Sequence, residues 1–226
     1  MWSLAQVLDQ LEALYGPPAP PKVTDPLEMI LLENIAYLVT DEKREAAFDA
    51  LRRRVGTSPG RILAASPETL LQVARLGGMH PEQRVKRLLQ IAQIAVEEFQ
   101  GDLRQATKQP LAQARRSLQL FPAIGAPGAE KILLFSGAHP VFALESNGLR
   151  ALVRLGFGDE QSSYAATYRS AQEAVKDQIE SDCRWLIRAH QLLRRHGQEL
   201  CKRSQPLCPA CPVAPGCRFY QGRAWC

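Results

Sequence analysis

Four cysteines close to the C-terminal end constrain this chain more than any other feature. They are spaced Cys201-x6-Cys208-x2-Cys211-x5-Cys217, and prolines are interspersed through the same segment. Because proline fixes φ and removes a backbone donor, such a segment cannot form long helices or strands. Four thiols in so short an irregular loop have to surround something compact, and an iron–sulfur cluster or a zinc ion has the chemistry that suits them. The prolines are Pro206, Pro209, Pro212 and Pro215.

The spacing of these cysteines favours a [4Fe-4S] cluster over zinc. Zinc prefers paired Cys-x2-Cys knuckles, and here only Cys208 and Cys211 form such a pair. A disulfide framework is a further alternative, but it needs an oxidising compartment, and the N-terminal residues lack the basic stretch and apolar core of a signal peptide. Cys183 and Cys226 fall outside the motif, and we interpret them as a buried small hydrophobe and a tail thiol.

Size and charge fit a soluble cytoplasmic protein. The chain has 226 residues, a formal net charge of +5 and a sequence pI of about 9.0. That charge suits a polyanionic partner without demanding one. No apolar run approaches membrane-spanning length, so no membrane partner is expected.

Apolar residues recur with helical spacing almost throughout, which predicts an all-α fold. A proline-rich stretch, residues 16–21, separates a short N-terminal helix from the body. Pro26 then opens a helix over residues 27–39 that is apolar on nearly every face and therefore buried. Further helices are predicted near residues 43–54, 67–75, 81–99 and 103–119, with Ser66-Pro67 and His80-Pro81 as starts.

Residues 120–132, Leu-Phe-Pro-Ala-Ile-Gly-Ala-Pro-Gly-Ala-Glu-Lys-Ile, predict a helix, a hairpin and a second helix. Gly125 suits the tight turn, and Pro127 lies where a first helical turn would begin. Unpaired amides at such a helix start attract an anion, for which a DNA phosphate is the obvious candidate. An ordinary helix-turn-helix corner uses the same residue types and remains an alternative.

Together these segments resemble the endonuclease III family of helix-hairpin-helix base-excision DNA glycosylases. That family has a hairpin Leu-Pro-Gly-Val-Gly, an Asp-bearing loop, a helix His-x-x-Leu-x-x-His-Gly and then the cluster. The counterparts here are residues 121–125 (Phe-Pro-Ala-Ile-Gly), 143–147 (Ala-Leu-Glu-Ser-Asn) and 190–197 (His-Gln-Leu-Leu-Arg-Arg-His-Gly), and the cysteine spacing matches without a gap. The resemblance runs from about Pro26 to Cys217 and is convincing beyond Leu118.

The resemblance implies a two-lobed all-α protein that binds double-stranded DNA, with an active site between the lobes. Residues 27–138 would form a six-helix barrel domain containing the hairpin, and residues 1–26 plus 139–226 the cluster domain. It further implies a monomer associated with the bacterial nucleoid and a [4Fe-4S] cluster held by Cys201, Cys208, Cys211 and Cys217. The residues expected to contact DNA are Ile124, Gly125, Gly128, Lys131, Asn34, Tyr37 and Arg195.

The chain departs from the family at the catalytic lysine. Bifunctional members carry a lysine two residues after the last hairpin glycine, where it forms a Schiff base with the sugar. This chain has Pro127 there, so imine-based strand cleavage by the usual route should be absent. Lys131 lies one helical turn further on and is expected to contact a phosphate instead.

The family's aspartate is replaced by Glu145, which keeps the negative charge and adds one methylene. Glu145 could therefore still face an oxocarbenium-like centre or orient a water. Alternatively, Glu145 caps a helix beginning near Ser146 or Asn147, and both roles can coexist at a helix N-terminus.

Glu33 lies where the adenine-excising branch of the superfamily places an acid that protonates the departing base. A carboxyl group among Ile30, Leu31, Leu32 and Ile35 would have its pKa raised by desolvation, as a general acid requires. Alternatively, Glu33 belongs to the polar stripe of a mostly buried helix. Asn34 or Tyr37 would contact the flipped base or fill the space it leaves.

Basic residues cluster at three places, and we expect them to bind DNA phosphates, although each run alone also fits a solvated helix face. His190 and His196 are expected to pack or form hydrogen bonds rather than bind metal. Two functions remain open: a monofunctional glycosylase that uses Glu145 and Glu33, and a noncatalytic relative that binds damaged or abasic DNA. The basic residues are Arg84, Lys86, Arg87, Arg115, Arg116, Arg184, Arg188, Arg194, Arg195, Lys202 and Arg203.

Overall fold

The computed structural model describes residues 2–222, which leaves the tail thiol Cys226 outside the described residues. Within that range the regular structure is helical, with an isolated bridge between Tyr37 and Gly78 as its β-type pairing. The predicted all-α fold is therefore confirmed. The helices are α1 Leu4–Tyr15, α2 Pro26–Ile35, α3 Asp41–Arg54, α4 Pro59–Ala64, α5 Pro67–Leu76, α6 Pro81–Phe99, α7 Arg104–Thr107, α8 Leu111–Leu118, α9 Ala126–Phe135, α10 Ser146–Leu155, α11 Tyr164–Val175, α12 Cys183–Glu199 and α13 Arg218–Gln221, with 3₁₀ turns at Cys208–Ala210 and Ala214–Gly216.

Side-chain caps explain where several of these helices begin. Ser3 and Gln6 form a reciprocal capping box at α1, and the Asp25 carboxylate accepts hydrogen bonds from the first amides of α2. The Ser66 hydroxyl caps α5 in front of Pro67, as the sequence predicted. These oxygens satisfy amides that the helix itself leaves unpaired, which fixes each start.

Two predicted helices are shorter than expected. The helix predicted over residues 27–39 ends at Ile35, because the backbone N–H of Tyr37 donates to the carbonyl of Gly77 at 3.0 Å and Leu38 has a positive φ of 53°. The helix predicted over 103–119 is interrupted before Pro110 and becomes α7 and α8. Proline lacks the N–H that would continue the ladder.

The chain folds as two compact units. We call residues Pro21–His139 the hairpin unit, and the residues up to Pro20 together with those from Pro140 onward the cysteine unit. The domain boundaries implied by the family resemblance, 27–138 and 1–26 plus 139–226, remain a prediction.

The hairpin unit has an apolar core around α2 and α6. Ile30, Leu31, Leu88 and Ile91 are fully buried. Gly77 makes this packing possible, because a Cβ there would lie 1.9 Å from the carbonyl oxygen of Ile35.

The cysteine unit is centred on the packing of α10 against α12. A Cβ on Gly197 would lie 2.3 Å from the carbonyl oxygen of Asn147, so glycine is required for this close approach. The N-terminal helix α1 belongs to the same unit, buries Leu4, Leu8 and Leu11, and offers Asp9 and Glu12 to Arg188 of α12. No helix within residues 2–222 has both the length and the apolar character needed to cross a membrane.

Candidate functional site

All four motif cysteines line one cavity in the cysteine unit. Cys201 follows the end of α12, Cys208 opens one 3₁₀ turn, Cys211 follows it, and Cys217 follows the other. The chain stays irregular between the turns because prolines recur there. Apolar side chains, among them Val213 and Ala214, complete the wall. The sequence motif therefore becomes a single thiol-lined cavity.

The donor set fits an iron–sulfur cluster. All cysteines among residues 2–222 are free thiols, and cysteine is the ligand that such clusters use. No group of three or more His, Cys, Asp or Glu side chains within the same residues is placed to hold one metal ion. A cubic cluster presents its iron atoms at separate corners, so its thiolates stand further apart than the ligands of one ion. The cavity that the four cysteines share is therefore the observation that supports a cluster.

Two of the four thiols are desolvated. Burial raises the pKa of Cys211 to about 11 and also raises that of Cys217. Ionised thiols in this environment need a compensating positive charge, which a bound metal centre provides.

His196 connects the cavity to the N-terminal helix. Its Nε2 lies 3.7 Å from the sulfur of Cys211, and its Nδ1 lies 3.2 Å from the hydroxyl of Tyr15. Burial lowers the pKa of His196 to about 4, so the ring is neutral. His196 forms hydrogen bonds inside the unit, as the sequence predicted.

Two arginines of α10 hold the backbone around Cys201. Arg150 donates to the carbonyls of Gly197 at 2.6 Å and Cys201 at 3.0 Å. Arg154 donates to the carbonyls of Lys202 at 2.7 Å and Arg203 at 3.0 Å, with one nitrogen 3.6 Å from the Cys201 sulfur. This loop is thus fixed largely by side chains from another helix.

Three side chains, two of them buried, fix the loop that leads to Glu145. His190 Nδ1 donates to the carbonyl of Ala143 at 2.8 Å, and Gln172 donates to that of Phe142 at 3.0 Å. The Tyr168 hydroxyl accepts from the amide of Leu144 at 3.2 Å. The loop is therefore held in place without a ligand.

Glu145 is the N-cap of α10. One carboxylate oxygen accepts from the Gly148 amide at 2.6 Å, and the other accepts from the Asn147 side chain at 2.9 Å. Burial, together with the nearby charge of Glu145, raises the pKa of Tyr164 to about 12. Glu145 thus places a negative charge at a helix N-terminus, where the helix dipole favours it.

The predicted hairpin joins α8 to α9 in the hairpin unit. Ala123, where the family pattern has glycine, has a φ of 60°, and Gly125 caps α9 without a side-chain bond. Gly125 is exposed, whereas Ile124 is 5% exposed. Gly125 can therefore present its backbone to a ligand, but the Ile124 side chain packs inside.

A partly buried ion pair links the two hairpin helices. Arg115 of α8 contacts Glu130 of α9 at 2.6 Å, and their side chains are 35% and 4% exposed, respectively. The pair holds the two helices together, since removing the buried carboxylate leaves the arginine without its partner.

Glu33 does not have the apolar surroundings that the sequence predicted. Its carboxylate contacts the Lys131 ammonium and lies 3.7 Å from Arg44. The surroundings are ionic because α9 brings Lys131 to the same side of α2. Lys131 accordingly pairs with a carboxylate, whereas the sequence predicted a phosphate contact.

Asn34 is also placed differently from the expectation. It is 2% exposed and donates to the carbonyls of Ile30 and Pro122, each at 3.0 Å. Asn34 therefore anchors the hairpin to α2 instead of facing a base. Tyr37 is 54% exposed and available for contact.

Comparisons with known proteins show which proteins this chain resembles. No protein-family profile matches it. It is 26% identical over 202 residues to endonuclease III of Thermotoga maritima, covering 89% of this chain and 87% of that protein. It is 26% identical over 192 residues to endonuclease III of Sulfolobus acidocaldarius, covering 84% and 81%.

The chain is similar to endonuclease III over most of its length.

Solved structures show the same fold as this endonuclease III-like chain. A trapped endonuclease III–DNA covalent intermediate matches with a TM-score of 0.75 and 20% identity, covering 98% of both chains. A thermostable thymine-DNA glycosylase matches with a TM-score of 0.75 and 16% identity, covering 96% of this chain and 94% of that one. The endonuclease III-like family is generally associated with a [4Fe-4S] cluster.

Several basic residues that the sequence assigned to phosphate contacts are engaged elsewhere in this endonuclease III-like chain. Arg188 pairs with Asp9 and Glu12, and Arg195 pairs with Glu199 at 2.7 Å while stacking on Tyr15. Charge runs in a sequence do not reveal such partners. The exposed members of the set are Lys86, Arg116, Arg184, Arg195, Lys202 and Arg203.

Sequence reasoning missed the neighbours of Tyr37. Leu38 is 73% exposed and Met79 is 54% exposed, and the Tyr37–Gly78 bridge joins their two loops. We call Tyr37, Leu38 and Met79 the apolar knuckle. Large apolar side chains displayed together usually mark a contact surface. The Gly77-Gly78 pair in the sequence was a signal for a close backbone approach, but not for its partner.

Proposed function

We propose that this protein is a monofunctional DNA glycosylase: it binds duplex DNA, extrudes a damaged or mismatched base and hydrolyses the N-glycosidic bond. The observation that carries the proposal is Glu145, a carboxylate held at the start of α10 on a loop fixed by His190, Gln172 and Tyr168. The relatives of this chain are DNA glycosylases of base excision repair, which supplies the reaction class.

Glu145 would act as a fixed negative charge. When the base leaves with the bonding electron pair, positive charge develops on C1′ and the ring oxygen of the sugar, and a preorganised carboxylate lowers the energy of that state. Water then adds to C1′ and loses a proton, which the carboxylate can accept. The hydrogen bonds from Gly148 and Asn147 hold Glu145 in one orientation, so little reorganisation is needed.

Lysine-based strand cleavage is not part of the proposal. Pro127, in the first turn of α9, has no nucleophile at the position where bifunctional relatives carry lysine. Lys131 contacts the carboxylate of Glu33, and an ammonium group held by an acid is a poor nucleophile.

Glu33 is assigned a positioning role. Its contacts with Lys131 and Arg44 tie α2 to α9 and α3, which supports the hairpin. To donate a proton to the departing base, Glu33 would first have to break its contacts with these cations. These contacts therefore argue against the general-acid role predicted from the sequence.

DNA binding would use two surfaces, one on each unit. In the hairpin unit, the unpaired amides at the start of α9, next to exposed Gly125, suit a phosphate, and the apolar knuckle suits insertion into the base stack beside an extruded nucleotide. In the cysteine unit, Lys202 and Arg203 are exposed while Arg154 holds their carbonyls, which presents both charges outward.

A [4Fe-4S] cluster would be held by Cys201, Cys208, Cys211 and Cys217, which share one cavity. When bound, such a cluster supplies four metal–thiolate bonds that hold the loop in place. The chain itself contributes the hydrogen bond of His196 toward Cys211 and the arginine contacts around Cys201. The basic residues of the loop would then be presented in a fixed conformation.

The test is to incubate the purified protein with duplexes that carry uracil, oxidised, alkylated or mismatched bases, and then to cleave abasic sites with alkali. We expect strand breaks only after alkali, and no adduct when borohydride is added to trap an imine. Glu145→Gln should slow excision by at least about 100-fold. Glu145→Asp, which restores the residue of the family pattern, should retain activity.

Glu33→Gln serves as the matched carboxylate control. It should lower the free energy of unfolding, and it should slow excision much less than Glu145→Gln does. Undiminished product from Glu145→Gln would remove this residue from the mechanism.

A noncatalytic DNA-binding protein is the second candidate. It is favoured by the fact that both Glu145 oxygens are engaged in capping α10. In that case no lesion in the panel yields product, although the protein binds abasic duplex tightly. Borohydride-trapped adducts in either case would contradict the absence of lysine chemistry.

A further inference from the structure

Arg84 is an unusual buried cation at the start of α6. The residue is 3% exposed, and its Nε and Nη2 atoms are buried without a hydrogen-bond partner among residues 2–222. Its one side-chain hydrogen bond runs from Nη1 to the carbonyl oxygen of Met79. A buried guanidinium normally has a carboxylate or a full set of acceptors, because desolvating a charge is costly.

The position of the guanidinium makes this cost larger. Helical side chains lean toward the N-terminus, and the contact with Met79 places the Arg84 guanidinium past the first residue of α6, Pro81. Its Nη2 is 3.6 Å from where a Cβ on Gly78 would lie. That end of the helix already carries the positive pole of the helix dipole.

The start of α6 also lacks its own cap. His80 provides no side-chain hydrogen bond, and Pro81 has no N–H. The N–H groups of Glu82 and Gln83 are therefore the unpaired amides of the first turn. Burial and the like charge of Arg87 lower the pKa of Arg84, which agrees with a site that has excess positive charge.

We propose that the start of α6 is a binding site for a DNA backbone phosphate, in which the Glu82 and Gln83 amides contact the phosphate and the buried charge of Arg84 strengthens the site from behind. The phosphate compensates a charge that the fold leaves unpaired. The inference rests on the proposed function, because it takes duplex DNA as the source of the phosphate.

The surroundings favour DNA over a small free anion. Met79, whose carbonyl Arg84 holds, belongs to the apolar knuckle, and exposed Lys86 lies on the same helix. An apolar surface next to a phosphate site suits nucleic acid, which offers both bases and backbone phosphates to a protein. The carboxylate of Glu82 lies in the first turn and repels an anion. Removing this charge should therefore strengthen anion binding, whereas removing the charge of Arg84 should weaken it.

The test measures binding of a duplex with a tetrahydrofuran abasic-site analogue by fluorescence anisotropy over a range of NaCl concentrations. Arg84→Met should weaken binding about tenfold at low salt and reduce the salt slope by up to about 0.9, the effect of losing one positive charge that neutralises a phosphate. Its Tm should be unchanged or higher, because an unpaired buried charge is removed. Arg84→Lys should keep most of the affinity, and Glu82→Gln should tighten binding.

Arg53→Met is the matched control, since Arg53 is an exposed cation at the end of α3. An Arg84→Met variant that binds like Arg53→Met overturns the proposal. So does an Arg84→Met variant with a lower Tm and unchanged affinity, which would show that Arg84 only supports the Met79 loop.

An NMR titration of the wild type with inorganic phosphate separates this proposal from the proposed function. The Glu82 and Gln83 amide signals should shift in the wild type and not in Arg84→Met. If the wild type shows these shifts but does not bind duplex DNA, the anion site is supported. The proposed function and DNA as the source of the phosphate are then contradicted. Absence of the shifts together with an unchanged salt slope would overturn the site itself.

Discussion

The hairpin and the cysteine loop both hold an irregular turn in place, but by opposite means. The hairpin is fixed by side chains of its own unit: Arg115 pairs with buried Glu130, Asn34 donates to the Pro122 carbonyl, and Phe99 stacks on Phe121 with ring centroids 5.7 Å apart. The loop from Cys201 to Cys217 has two 3₁₀ turns and depends on arginines of α10 for its backbone contacts. A turn with its own buried partners needs no ligand, whereas a loop with desolvated thiols does.

Among the substitutions that test this difference, removal of a cysteine should have the largest effect. Cys208→Ser should reduce bound iron from about four atoms per chain to near zero and destabilise the cysteine unit by on the order of 5 kcal/mol, because metal-binding free energy is folding free energy. Iron analysis and urea unfolding measure the two effects. Limited proteolysis should then cut between residues 201 and 222 and spare the hairpin unit.

Cys183→Ser is the control, since Cys183 lies outside the cavity-lining set, and it should retain its iron. A Cys208→Ser protein with wild-type iron content would show that the loop is not organised by a cluster.

The hairpin should be destabilised by loss of its ion pair. Glu130→Gln leaves Arg115 without its buried countercharge and should lower the free energy of unfolding by about 2 kcal/mol, less than for a fully buried pair because the Arg115 side chain is 35% exposed. Glu199→Gln removes an exposed pair and should cost less than about 0.5 kcal/mol. Chemical unfolding of both variants provides the measurement. Equal effects from the two substitutions would mean that the hairpin is not fixed by its partly buried pair.

Tyr15→Phe sharpens the comparison on the cysteine side. It removes the hydroxyl that contacts His196 and should cost about 1 kcal/mol at pH 7. Burial raises the pKa of Tyr15 to about 12 from the usual 10.0, so the unfolded chain loses this proton at a lower pH than the folded chain. The stability of the wild type should therefore fall as pH rises from 10 toward 12, and the deficit of Tyr15→Phe should shrink.

Urea midpoints at several pH values test this, with exposed Tyr37→Phe as the control. A deficit that stays constant up to pH 11 would contradict the assigned shift.

The smallest expected effect is a stabilisation. Ala123 has a φ of 60°, a left-handed conformation that costs an L-residue about 1 kcal/mol and glycine almost nothing. Ala123→Gly should raise the free energy of unfolding by about 0.5 kcal/mol, since greater freedom in the unfolded chain offsets part of the gain. Ala46→Gly, at an exposed position within α3, should instead lower it by about 1 kcal/mol. Destabilisation by both would indicate that Ala123 is not strained.

Local patterns allowed much of the fold to be predicted. Helical periodicity placed α3, α5 and α6 within a few residues of their observed bounds, and Ser66-Pro67 marked a start that the structure confirms. The errors arose where partners distant in the sequence intervene. The helix from Leu27 stops at Ile35 because Gly77 binds the backbone beyond it, and no residue within that helix signals this.

The candidate site divides in the same way. The cysteine spacing indicated a shared site, and the four side chains do line one cavity. The surroundings of Glu33 were misjudged because the sequence shows its helix neighbours but not Lys131, which is 98 positions away. Asn34 was assigned to a base for the same reason, although it serves the hairpin.

The sequence by itself determined the all-α class, the thiol-rich loop, the hairpin and the replacement of the catalytic lysine by Pro127, since these follow from residue type and short-range spacing. Only the tertiary structure decided which charges are paired and which are left over. It joined Glu33 to Lys131 and Arg115 to Glu130, and it left Arg84 buried with no counterion among residues 2–222. The free energy of a charge depends on burial and on neighbours within a few ångströms, and chain folding brings these together from distant positions.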